Sequence, residues 1–150
     1  MPTDAKGPVA QDIAEMTQAD YDEVFALWSG TEGVGLGVSD TRERIGEFLA
    51  RNLGMCFVAR EGGVIVGTIL CGTDGRRGYL HHVAVSPGHR RRGIGAALVR
   101  RCMAVLKQLD IPRCHLFVFA ANEAALAFYR RLGWRCLDEH GVKVMSCDVA

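Results

Sequence analysis

The densest chemistry in the chain lies in His89-Arg90-Arg91-Arg92-Gly93-Ile94-Gly95-Ala96. Three guanidiniums precede two glycines, and an apolar helical pattern follows. Glycines at a helix entrance let a ligand approach the backbone closely. The free N–H groups of a first helical turn, with the helix dipole, favour a phosphate there. Arginine adds permanent charge and forked donors. The run sits in a 35-residue stretch, 75–109, with eight Lys/Arg and no Asp or Glu. Residues 1–74 carry five basic and twelve acidic side chains, and residues 110–150 carry five of each. The net charge of +1 conceals this division. On charge alone it fits either a local anion site or a solvated basic face balanced by an acidic one, and it argues against a protein that is basic throughout and coats nucleic acid.

The phosphate ligand can be narrowed by exclusion. A Walker loop needs Gly-Lys-Ser/Thr, which is absent after Gly88. A dinucleotide fingerprint needs a third small residue and a βαβαβ setting; Gly93-Ile94-Gly95-Ala96-Ala97-Leu98 supplies neither. The six cysteines (Cys56, Cys71, Cys102, Cys114, Cys136, Cys147) form no C-x-x-C pair. They read as reduced, small apolar residues, and no metal site is expected.

These residues must be positioned by elements that the pattern also outlines. Residues 1–8 read as a flexible tail and 9–150 as one domain, with a short first strand over Val9–Met16. A helix follows Thr17-Gln18-Ala19-Asp20, with Thr17 or Asp20 as cap and Tyr21, Val24, Phe25, Leu27 and Trp28 along one face. Ser29–Asp40 holds four glycines and reads as a loop; Thr41–Asn52 is a second helix. Strands are expected over Met55–Arg60, Val64–Cys71 and Tyr79–Val85, the first two joined by Glu61-Gly62-Gly63. A helix over Gly93–Leu109 stops at Asp110-Ile111-Pro112. A buried strand His115–Phe119, a helix Asn122–Leu132 and a terminal hairpin (Trp134–Leu137, Val142–Cys147) complete the order β-α-α-β-β-β-α-β-α-β-β. This is a mixed α/β fold with a mostly antiparallel sheet, flanking helices and one parallel crossover.

Composition agrees with one globular domain: 150 residues, 49% hydrophobic and 23% charged. The chain has no apolar run of the roughly 20 residues that a membrane helix needs. Residues 1–11 lack the apolar stretch of a secretory signal. A cytoplasmic location is expected.

Two motifs carry a family resemblance. Arg90-Arg91-Arg92-Gly93-Ile94-Gly95 fits Q/R-x-x-G-x-G/A, and Asn122–Trp134 fits N-x-x-A-x-x-x-Y-x-x-x-G-F/W. With their separation and element order, the chain resembles the GNAT family of N-acetyltransferases, in its small single-domain bacterial type. The resemblance implies acetyl-CoA as cosubstrate and direct transfer of acetyl to an amine. It implies that Val83, Ala84 and Val85 lie along pantetheine, with backbone groups of Val83 and Val85 pairing its amides. Arg90, Arg91, Arg92, Gly93, Ile94, Gly95 and Ala96 would hold the pyrophosphate, and Asn122 would line the other side.

Tyr129 falls where the family has its general acid, and a phenol with reference pKa near 10 is protonated at neutral pH. The N–H of Val83 would stabilise the oxyanion. His81 matches a histidine base of one branch. By strict strand alternation it shares a face with Val83 and Val85, and His82 points the other way. Glu32 and Asp74 are the other candidate bases, or water alone serves. Phe117 stands where relatives acting on protein N-termini carry a glutamate. The acceptor pocket maps to Trp28–Asp40, with Trp28, Glu32 and Asp74 its expected side chains.

The expected partner is a small-molecule or peptide amine, with no nucleic acid and no membrane. A homodimer would form through the terminal hairpin. The alternative reading is a non-catalytic acyl-CoA-binding or sensor domain of the same fold.

Overall fold

The computed structural model describes residues 12–149; the expected tail 1–8 and the start of the first strand lie outside them. The described residues form two compact units, divided between Phe117 and Val118.

The first unit is built on a five-stranded sheet in the order β1 (Asp12–Glu15), β2 (Phe57–Glu61), β3 (Val64–Thr73), β4 (Gly78–Val85), β5 (Cys114–Leu116). Neighbours are antiparallel except β4 and β5, which run parallel after the crossover through helix α3 (Ile94–Gln108). Alternation along β3 assigns its two faces. A Cβ on Gly67 would meet Ile94 Cγ2 of α3 at 2.8 Å, so only glycine lets α3 sit this close. One on Gly72 would meet Phe48 of helix α2 (Arg42–Arg51) at 2.9 Å. Five residues separate the two glycines, so they face opposite ways, and the sheet has helices on both sides.

On one side, Ile94, Leu98, Val99, Cys102 and Leu106 bury the apolar stripe of α3. On the other, Val24 and Trp28 of helix α1 (Tyr21–Ser29) join Ile45 and Leu49 of α2, Val58, Leu70 and Ala84 in one core. Trp28 is fully enclosed. At about 25 cal/mol per Å2 of buried apolar surface, each such side chain stabilises the unit by roughly 1.5–3 kcal/mol.

The second unit contains helix α4 (Glu123–Arg131), which Asn122 caps and Gly133 follows at φ 92°.

Most expected elements form, and the ends differ. β5 covers Cys114–Leu116 rather than His115–Phe119, and Phe117 and Phe119 are exposed at 66% and 60%. Their apolar character suggested burial, but a strand lasts only while a neighbour pairs its backbone. Neither segment of the terminal hairpin is a strand among the described residues. A short 3-10 turn, Asp138–His140, ends at Gly141, and Val144 and Met145 are exposed. All six cysteines are free thiols; Cys56, Cys71 and Cys102 are buried as expected, whereas Cys147 is exposed. No helix among the described residues is long and apolar enough to cross a membrane.

Candidate active site

β4 positions the centre of the site because its pairing changes halfway along. With β5 it pairs only at Gly78↔Cys114, Tyr79↔His115 and Leu80↔Leu116. Beyond Leu80 the β5-facing edge has no strand partner among the described residues. With β3 it pairs His81 to Leu70 and Ala84 to Thr68, so His82 and Val83 together stand opposite Ile69. This is a β-bulge, and His82 takes a left-handed φ of 49°. A non-glycine residue there costs on the order of 1 kcal/mol. A bulge re-aims side chains, and here it corrects the simple alternation. His81 packs edge-on against Phe48 at 5.8 Å, and His82 stacks with Trp28 at 4.8 Å. Both imidazoles therefore lie on the α1–α2 side of the sheet. Ala84 belongs to that side's core, so His81 does not share the face of Val83 and Val85.

After β4 the chain turns through Pro87–His89 and reaches α3 by two left-handed residues, Arg91 (φ 62°) and Gly93 (φ 80°). Such alternation turns successive N–H groups toward a common point, a concavity suited to anions. Open space surrounds Gly93 where a Cβ would stand. The first α3 bond inside the helix is Ala97 N–H to Gly93 O, 3.0 Å. The N–H groups of Ile94, Gly95 and Ala96 thus lack helical partners. No side chain caps them, and the first turn has no acid. That donor set fits a diphosphate.

The arginines are not equivalent. Arg90 Nε donates to Val85 O at 3.2 Å, closing the loop onto the end of β4. Arg92 Nη1 reaches Glu61 Oε2 at 3.2 Å, and His89 Nε2 lies 3.6 Å from the same oxygen. Glu61, at the end of β2, is thus a counter-charge to the loop. Sequence reasoning placed it only in a hairpin, and no local signal marks a contact 31 residues away.

The expected acceptor residues separate. Trp28 gives its Nε1–H to Thr68 Oγ1 at 2.9 Å, inside the core. Glu32 is exposed. Asp74 is exposed and accepts from the N–H groups of Arg76 (2.8 Å) and Arg77 (2.9 Å), which depress its pKa, and so it shapes its own turn. His81 is held below the ordinary imidazole range by burial first and by the neighbouring His82 second.

Asp40, the last residue of the connection before α2, does not cap that helix; it is buried and bonded to His82. The α2 cap is Thr41 instead, whose Oγ1 accepts from Arg44 N–H at 3.2 Å.

In the second unit, Asn122 Oδ1 accepts from Ala125 N–H at 3.1 Å. Tyr129 lies between Phe128 (4.9 Å) and Trp134 (5.7 Å), both edge-to-face. Burial pushes its phenol up to about 12, so it remains protonated throughout the neutral range.

Comparisons with known proteins agree with this geometry. The model of the acetyltransferase (GNAT) family matches residues 19–134, across the boundary between the two units. Among solved structures, Ard1 from Thermoplasma volcanium superposes with a TM-score of 0.75 at 22% identity, over 83% of this chain and 82% of that one. An aminoglycoside antibiotic 6'-N-acetyltransferase from Acinetobacter haemolyticus gives 0.72 at 18%, over 93% and 99%. PaiA N-acetyltransferase from Thermoplasma acidophilum, solved with coenzyme A, gives 0.70 at 14%, over 82% and 88%. At these identities the three structures establish a shared fold.

Proposed function

The chain belongs to the GNAT family and is an acetyl-CoA-dependent N-acetyltransferase; from that premise we propose that it acetylates a primary amine of a small molecule or peptide by direct attack. The observation that carries this reading is the uncapped, acid-free start of α3, joined by a short loop to a strand whose edge beyond Leu80 is unpaired among the described residues. An unpaired strand edge offers N–H and C=O groups to the amides of pantetheine, much as an added strand would. In this reading the N–H groups from Arg91 to Ala96 bind the pyrophosphate. Val83 and Val85 pair the pantetheine arm, and the Val83 N–H stabilises the oxyanion.

The amine nitrogen bonds the acetyl carbon and the carbon–sulfur bond breaks. Tyr129 gives its proton to the departing thiolate, a role its raised pKa supports. Asn122 combines helix capping with a cofactor contact. The acceptor enters by the connection Ser29–Asp40, where exposed Glu32 and the acidic balance of residues 1–74 favour a cationic amine.

The test is CoA release with acetyl-CoA and a panel of amines: tyramine, spermidine, kanamycin and a Met-initiated pentapeptide. Tyr129→Phe is expected to lower turnover about 10²- to 10⁴-fold while acetyl-CoA affinity stays constant. Acetyl-CoA binding without transfer to any amine would instead favour a binding or sensor domain.

A further inference from the structure

We propose that His82, rather than His81, accepts the proton of the attacking amine, with Asp40 as its positioning residue; this rests on the acetyl-transfer reading above. His82 Nε2 lies 2.6 Å from Asp40 Oδ1, and the two side chains are only 16% and 11% exposed. Asp40 is itself held from two directions. Its Oδ2 accepts from Gly37 N–H at 2.8 Å, and its carbonyl accepts from the Tyr21 hydroxyl at 2.7 Å. On the other side, Thr68 Oγ1 takes the Trp28 Nε1–H and donates to His82 O at 3.1 Å. Both partners are thus fixed by the glycine-rich connection, α1 and β3 together.

The chemistry follows from the acceptor-only nature of a carboxylate. Asp40 compels Nε2 to carry the hydrogen, which leaves the lone pair on Nδ1. An acid that selects a histidine tautomer in this way makes the opposite nitrogen the base. Among the described residues no hydrogen bond engages His82 Nδ1, and the side chain keeps 16% of its surface exposed. His81 lacks this arrangement. Its ring lies edge-on against Phe48, and no carboxylate bonds it.

The groups facing His82 are Asp40 from the connection, Tyr21 (through Asp40) and Trp28 from α1, Thr68 from β3, and His81 from its own strand. Among the described residues no lysine or arginine forms an ion pair with His82 or Asp40; Arg42 sits over the Tyr21 ring at 4.8 Å. In the reaction the amine nitrogen bonds the acetyl carbon, its proton passes to Nδ1, and the carbon–sulfur electron pair leaves with sulfur. Asp40, bonded to Nε2, holds the ring in place and faces the imidazolium that forms.

Asp40→Asn separates this role from a structural latch. An asparagine keeps both contacts, its oxygen accepting from Gly37 N–H and its amide donating to His82 Nε2. That reverses the tautomer and moves the hydrogen to Nδ1. Nitrogen-resolved NMR of the full chain reads the tautomer without any acceptor. The expected result is Nε2–H in the wild type and Nδ1–H in the variant.

With whichever amine of the panel is turned over, Asp40→Asn should reduce kcat about 10²-fold or more, with acetyl-CoA affinity and Tm unchanged. His82→Gln should abolish the acidic limb of the pH–rate profile, and His81→Gln should retain one. Nδ1–H in the wild type, wild-type turnover by Asp40→Asn, or loss of the limb only in His81→Gln would each overturn the proposal. If the wild type turns over no amine, the acetyl-transfer reading fails, and with it any catalytic role for the pair; an Nε2–H tautomer found in that case reports a latch, which also overturns the proposal.

Discussion

Helices α2 and α3 lie in the same unit and begin in opposite ways. At α2, the Thr41 hydroxyl accepts from Arg44 N–H, and Glu43 stands in the first turn against the positive end of the dipole. At α3, Gly93 offers no side chain and the first turn has no acid. The orphan N–H groups of one helix are partly met by the protein; those of the other have no side-chain cap, which in the proposed reading leaves them to the pyrophosphate. Near neutral charge overall, the molecule keeps a basic, uncapped helix end because its acids are placed elsewhere. The nearest intervention is Glu61, which pairs Arg92 from the end of β2. The difference teaches where a ligand site is to be sought: at the helix end that lacks the cap and the acid an ordinary helix supplies.

The sharpest way to break the comparison is to give α3 what α2 has. Gly95→Asp places an acid in the first turn, where it competes for the N–H groups and repels a pyrophosphate. Losing about two charge-assisted hydrogen bonds should weaken CoA binding on the order of 100-fold by calorimetry, with Tm unchanged or slightly raised. Equal affinity would show that the pyrophosphate does not sit there.

The converse change, Thr41→Ala, should cost about 1 kcal/mol of unfolding free energy in a urea titration and leave CoA affinity unaltered. A loss of CoA binding in that variant would make the two helix ends one coupled system. The smallest effect concerns the counter-charge. Glu61→Gln frees Arg92, and because this pair is partly exposed, CoA should bind only about 2- to 5-fold more tightly at low salt. Weaker binding would instead make Glu61 a support of the loop.

Legibility in the sequence followed the range of the interactions. The start of α3 was readable because glycine, arginine and the apolar period all act within a few residues, and the observed helix departs from the expected one by a residue at each end. Asn122 as a cap was readable for the same reason. Phe117 and Phe119 misled because apolar character does not specify whether a neighbouring strand is present. His81 and His82 misled because strict alternation assumes equal residue counts on paired strands. One extra residue in β4 moves both imidazoles to a single face.

The sequence by itself determined the local chemistry: an acid-free basic loop, glycine at a left-handed helix entrance, and a tyrosine and asparagine spaced along one short helix. These follow from backbone preferences and charge within a few residues. Tertiary structure alone decided where β4 parts from β5 and where it bulges. It also decided that Asp40, 42 residues away, bonds His82, and that Glu61 meets Arg92. Those outcomes depend on register between distant strands and on which side chains the packed core brings within hydrogen-bond reach. No local preference encodes either.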